Sequence, residues 1–227
     1  MNNPVPTTTT QPRLTIVEWG ILPFGDVHSD GIGNVAALND IPAGTRRRLG
    51  QFERAVVRAV LGVSQADQPA HVTLGSRYGN LQSTAAILDA LAHDTPPSPT
   101  QFSYSVLNAA CGIANQVRKD RTSHTAVAAG ALTVHGALTD AWLRAGDEPQ
   151  RQNIVVLADA PLPEIYQPLD DGWQGGICIG LNVRRAPHGD TPAPCSLGRS
   201  GYAALAQRLQ AGDLTLGLSG GQWTISA

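Results

Sequence analysis

The stretch Thr125–His135, TAVAAGALTVH, has the pattern of a small-residue strand that enters a tight turn and then a helix. Such strand-to-helix elbows mount nucleophiles at the mouth of a cleft, with helix N–H groups behind them. The residue at this turn is Gly130, which carries no side chain. Other groups could supply chemistry. Cys111 and Cys178 lie in apolar surroundings, where a thiol behaves as a small, inert hydrophobe. Ser103 or Ser105 with His135 and Asp140 would make a hydrolase triad on paper, yet His135 and Asp140 sit five apart on one helix and no G-x-S-x-G supports a serine elbow. Asp26, His28 and Asp30 fall in the loop GDVHSDGIGN; a metal reading lacks a third ligand cluster, and a turn-rich loop accounts better for the composition.

The elements that must position these residues alternate between strand and helix. Arg13–Trp19 alternates as a strand. A helix follows from Thr45, its N-cap, to a stop at Gly62, with Leu49, Phe52, Val56, Val60 and Leu61 on one face and Arg46, Arg47 and Arg48 as its solvated start. Residues 71–76 form a second strand, followed by a helix carrying Ala85, Ile87, Leu88 and Leu91. The proline-rich DTPPSPT reads as a rigid loop, and Val106–Val117 as a third helix. The strand 124–129, the Gly130 elbow and a helix to Leu143 or Arg144 come next. Strands at 153–157 and 177–183, a helix at 201–210 and two short final strands complete the chain, without an internal repeat. The fold class is α/β, a mixed sheet flanked by helices.

At 227 residues the chain suits one domain, spanning 13–227, after a Pro/Thr-rich tail (1–12) that reads as disordered and not as a signal peptide. A net charge of −2 without a basic stripe argues against nucleic-acid binding. No apolar run approaches a membrane span of ~20 residues. Three cysteines (Cys111, Cys178, Cys195), odd in number and without metal-ligand spacing, point to a reduced cytoplasmic protein, with no metal or other cofactor.

Three segments, in order, resemble the N-terminal half of β-ketoacyl synthases, the thiolase-fold condensing enzymes. Ser76-Arg-Tyr-Gly-Asn80 resembles the family's glycine-rich loop after a strand. SPTQFSYSVLNAACG (98–112) resembles the stretch in which an asparagine and a glycine, here Asn108 and Gly112, fix a helix. SHTAVAAGALTVHGAL (123–138) is similar to the element bearing the acyl-accepting cysteine; laid without gaps, Gly130 takes the nucleophile position and His135 the nearby histidine. SRYG and SPTQFSYSVLNAA are closer still to truncated chain-length-factor proteins that accompany ketosynthases in aryl polyene and xanthomonadin-type systems. The likeness fades over residues 184–227.

The resemblance implies a pseudoenzyme. The family's two catalytic histidines lie in a second half for which this sequence leaves no room, and Gly130 removes the thiolate, so no condensation is expected from this chain alone. It implies a heterodimer with an active β-ketoacyl-ACP synthase, through the strand His124, Thr125, Ala126, Val127, Ala128 and Ala129. It places Tyr78, Gln101 and Phe102 at the acyl tunnel, Tyr78 and Phe102 reading either as gate or as core aromatics. Ser76, Asn108 and Gly112 are structural positions, and an acyl carrier protein is a further partner. The alternatives are a small acyltransferase or thioesterase using Cys111 or a serine, and a module that only docks acyl carrier proteins.

Overall fold

The computed structural model describes residues 12–25, 30–169, 176–186, 201–212, 215–219 and 222–226. Residues 1–11 of the expected tail, Asp26, His28 and Cys195 lie outside these residues. Among the described residues the centre of the molecule is a mixed sheet of eight strands: β1 (Arg13–Pro23), β2 (Ile32–Gly33), β3 (Ala70–Gly75), β4 (His124–Val127), β5 (Gln152–Asp159), β6 (Ile177–Arg185), β7 (Thr215–Ser219) and β8 (Gln222–Ser226). Their order is β4-β3-β5-β6-β1-β7-β8, with β2 paired to β1. β3 runs parallel to both β4 and β5, and the other pairings are antiparallel.

Seven α-helices accompany the sheet among the described residues: α1 (Ala43–Arg46), α2 (Gln51–Val63), α3 (Leu81–Ala92), α4 (Pro99–Ser105), α5 (Ala109–Arg118), α6 (Thr133–Asp147) and α7 (Gly201–Gln210). The period-two alternation of β5 divides the core. Ile154, Val156 and Ala158 join Phe52, Val56 and Val60 of α2 and Ala110, Cys111 and Ala114 of α5 on one face. Val155 and Leu157 join Leu138 and Ala141 of α6 and Tyr202, Leu205 and Leu209 of α7 on the other. The result is three layers, helix on sheet on helix, as the alternating sequence predicts.

Several boundaries differ from the sequence reading. The helix expected from Thr45 to Gly62 is two: Arg46 ends α1, Arg47 and Arg48 lie in the turn, and α2 starts after Gly50. Gly62 does not stop α2 but lies inside it, because a Cβ there would meet the carbonyl oxygen of Asn34 at 2.3 Å. The helix expected over Val106–Val117 begins only at Ala109, since Val106 is extended (ψ 129°) after α4. Part of the expected rigid loop is itself helical: Ser98 caps α4 by accepting the Gln101 N–H, with Pro99 in its first turn. β1 extends to Pro23, with a bulge between Ile16 and Glu18.

Candidate functional site at the carboxyl ends of the parallel strands

Because β3, β4 and β5 are parallel and adjacent, their following segments converge at one end of the sheet, the end where α/β sheets place ligand sites. β3 leads into Ser76–Asn80, β4 into the Gly130 turn, and β5 closes with Asp159.

Gly130 adopts φ +54°, the left-handed conformation that glycine takes at least cost. A Cβ there would meet nothing within 4 Å, so room for a side chain exists and only the side chain is missing. Thr133, buried in the first turn of α6, staples the elbow: its hydroxyl donates to the Gly130 carbonyl at 2.8 Å and accepts the Ala129 N–H at 3.0 Å. His135 lies half-buried on α6, its Nδ1 buried without a hydrogen-bond partner. The expected strand 124–129 ends at Val127; Ala128 and Ala129 are exposed in the turn.

The Ser76–Asn80 loop is closed by a polar cage. Asp159, with no solvent exposure, accepts the Ser76 hydroxyl at 2.9 Å and the Arg77 N–H at 2.8 Å on Oδ1, and Arg77 Nε at 3.0 Å on Oδ2. The Gly79 N–H donates to Ser76 Oγ at 2.8 Å, and the Ser76 N–H to the Val127 carbonyl at 3.0 Å, which joins this loop to the end of β4. Ser76 thus spends its hydroxyl inside the loop, on Asp159 and the Gly79 N–H. The Arg77 guanidinium lies 5.0 Å from the centre of the Tyr78 ring. Asn80 caps α3 by accepting the Ser83 N–H at 3.1 Å, and donates to the buried Glu53 at 2.6 Å. Burial pushes the Glu53 carboxyl up from its ordinary range, with the Asn80 bond opposing.

Tyr78 is 39% exposed and Phe102 64% exposed, so neither is a core aromatic in this chain; Gln101, beside Phe102 on α4, is exposed as well. Asn108 occupies the N-cap position of α5 without a side-chain capping bond. Gly112 lies inside α5, where a Cβ would sit 3.9 Å from His124 Cε1.

The nucleophile candidates fare poorly. Cys111 is fully buried, and burial pushes its thiol up to about 12. Cys178, equally buried, is pushed up further by burial. Ser103 and Ser105 spend their hydroxyls on the carbonyls of Pro99 (2.9 Å) and Phe102 (2.8 Å). Asp140 partners not His135 but His71 on β3, with Nε2 to Oδ2 at 3.6 Å. Around that pair, Thr73 donates to Asp140 at 2.7 Å, and Arg144 donates to Asp140 at 3.2 Å and to Thr125 at 3.1 Å. Thr125 Oγ1 and Ser123 Oγ each lie 3.2 Å from one ring nitrogen of His71. Burial raises the Asp140 carboxyl, yet the bonds from His71 and Thr73 and the Arg144 charge outweigh it and hold it at about 2. Burial and the neighbouring His71 hold the His124 imidazole below its usual value. Ser123, His71 and Asp140 follow the order of a hydrolase triad. Their position at the amino end of β4 and the commitment of both Asp140 oxygens to Arg144 make them a clamp that fastens β4 to β3 and α6.

Asp159, Thr133 and His71 escaped the sequence reading. A carboxylate ending the apolar run NIVVLAD was the available signal for the first. Among the described residues no group of three His, Cys, Asp or Glu side chains is placed to hold a metal, and no helix is long and apolar enough to cross a membrane.

Comparison with solved structures supports the fold. A chain of the complex of the ketosynthase ApeO with its chain length factor ApeC, from Xenorhabdus doucetiae, superposes with a TM-score of 0.71 at 21% identity, covering 94% of this chain and 99% of that one. The ishigamide ketosynthase/chain length factor gives 0.59 at 15% identity, over 79% of this chain and 64% of the other. A β-ketoacyl synthase from Burkholderia phymatum gives 0.53 at 11% identity, over 77% and 59%. The architecture is therefore thiolase-like, as the ketosynthase resemblance implied. No curated protein matches the sequence. The model for the N-terminal domain of β-ketoacyl synthases matches residues 26–211, most of the chain. This chain belongs to the β-ketoacyl synthase N-terminal domain family.

Proposed function

We propose that the chain is a non-catalytic subunit that pairs through β4 with an active β-ketoacyl-ACP synthase and shapes the partner's acyl tunnel, as a chain length factor. The observation that carries this reading is Gly130. The elbow keeps its left-handed turn and its Thr133 staple while the nucleophile position has no side chain. The two other features that support it are an edge strand whose outer side is unpaired among the described residues, and exposed aromatics at the positions the resemblance gives to the tunnel. The near-complete mutual coverage with a chain of a ketosynthase–chain length factor complex agrees with it in length. In this reading residues 13–227 act as one thiolase-like half in the cytoplasm, Tyr78, Gln101 and Phe102 border the growing acyl chain, and the acyl carrier protein delivers that chain to the partner's thiolate. The pathway is fatty acid or aryl polyene synthesis. A bulky Tyr78 shortens the space, at about 0.8 kcal/mol per methylene excluded.

The test is co-expression with the ketosynthase encoded nearest to this gene, with a tag on one subunit only and native mass measurement of the product. A one-to-one heterodimer is expected. A soluble, stable monomer recovered alone beside an untouched ketosynthase overturns the reading.

A further inference from the structure

We propose that Arg77, anchored by Asp159 and backed by Tyr202 of α7, is the positioning residue that holds the Tyr78 ring in place and so sets how sharply the tunnel selects acyl length. This rests on the reading of Tyr78 as a tunnel gate. Its own ground is the cage around the loop.

Asp159 accepts a hydrogen bond from Ser76 and two from Arg77, and none of its surface reaches water. A buried ion pair contributes little to net stability compared with apolar residues of the same volume, so its value here is direction. Arg carries a rigid planar fork, and holding its Nε on Asp159 Oδ2 fixes the plane of the guanidinium that faces the Tyr78 ring. Ser76 Oγ, receiving the Gly79 N–H, closes the turn on the other side of Tyr78. Tyr78 thus has its backbone fixed at both neighbours and a guanidinium beside its ring, while the ring remains 39% exposed. That is the arrangement of a fixed stop, not of a swinging gate.

The third wall comes from α7. Tyr202 is buried, and its hydroxyl donates to the Gly75 carbonyl at 3.4 Å, one residue before the cage. Burial and then the Asp159 charge push that hydroxyl's titration up, which places phenol and carboxylate in one electrostatic unit. Residues at the carboxyl end of the chain therefore bear on a loop 127 positions earlier. A change at Tyr202, on a different element from the loop, therefore alters selectivity through Asp159 and Arg77.

Two readouts separate this proposal from the gate reading on which it rests. The first uses the isolated chain: tetranitromethane nitration of Tyr78, mapped by peptide mass, with Tyr166 as internal reference. Arg77→Gln and Asp159→Asn are expected to change the Tyr78 nitration rate several-fold and leave Tyr166 unchanged, with Arg77→Lys intermediate because it keeps the charge but not the plane. The second is product length from the co-expressed complex. Tyr78→Ala is expected to shift the distribution to longer chains, whereas Asp159→Asn and Tyr202→Phe broaden it about the same centre. If Asp159→Asn fails to fold, Tyr202→Phe, which removes one hydroxyl, carries the test with Arg77→Lys. Unchanged nitration in folded variants overturns the positioning role. Altered nitration with unaltered products, while Tyr78→Ala does shift length, overturns the link to selectivity. Should Tyr78→Ala also leave products unchanged, the gate reading fails, and the selectivity claim falls with it.

Discussion

β4 and β5 are the two parallel neighbours of β3, paired to the same residues: Gly75 lies opposite Val127 on one side and Leu157 on the other. All eight residues of β5 are buried, with β6 along its far edge and helices on both faces. All four residues of β4 are only half-buried, and its far edge is open among the described residues. Their ends differ in the same sense. β5 finishes in a carboxylate whose oxygens are both engaged, while β4 runs out at Val127 into a turn whose Gly130 has open space around it. Identical backbone pairing therefore yields a finished half of the sheet and an unfinished one, and the contrast lies in what covers each strand.

Substitutions can break or sharpen that contrast. The largest effect belongs to Leu157→Ala, which empties a fully buried site and is expected to cost about 3 kcal/mol in denaturant unfolding of the isolated chain. Next comes the clamp behind β4. Asp140 titrates at about 2 when folded against 3.8 for an ordinary aspartate, so its contribution is complete above 3.8 and disappears as pH falls through 2. Asp140→Asn should remove at most about 2 kcal/mol at neutral pH and flatten stability over that acid window, as thermal melts from pH 2 to 7 would report. Gly130→Ala meets no steric obstacle but forces alanine into the left-handed region, for a loss of about 1 kcal/mol in the same unfolding assay. Val127→Ala is the smallest, about half a kcal/mol in the isolated chain, because Val127 is only half-buried and its main neighbour on α6 is Gly136. A Val127 cost equal to that of Leu157 would erase the difference between the strands.

The period-two and helical patterns located every strand except the two-residue β2, and most helices, including α7 and the closing hairpin. They failed where apolar spacing runs across a backbone break. Leu49 and Phe52 lie on one helical face in projection, yet Leu49 falls in the break at residues 47–50 that precedes α2. The same happens at Val106, whose apolar side chain continues the pattern although its backbone is extended. For the site, the Gly130 turn was legible because strand, glycine and helix follow one another in a local pattern. Asp159 was not, since only the sheet order brings it beside Ser76. His71 was hidden for the same reason: its partners Ser123, Thr125 and Asp140 come from β4's neighbourhood and α6. Thr133 reads as any polar residue in a first helical turn until the elbow's carbonyl is seen above it. Exposure takes Tyr78 and Phe102 out of the core of this chain, which the sequence alone left open.

α3 has Leu81, Ala85, Ile87, Leu88 and Leu91 along it, packs chiefly against α4, and buries none of its side chains. Beside it a groove of about 570 Å³ opens between its Ala85, Ala86 and Ala92 and the exposed Ile165. Oily, uncovered helices are what cellular proteases and holding chaperones recognise in orphaned subunits. The consequence is one of supply. A chain whose α3 stayed uncovered would be cleared, and the amount of this protein would then follow how much of it finds a cover more than how much is made.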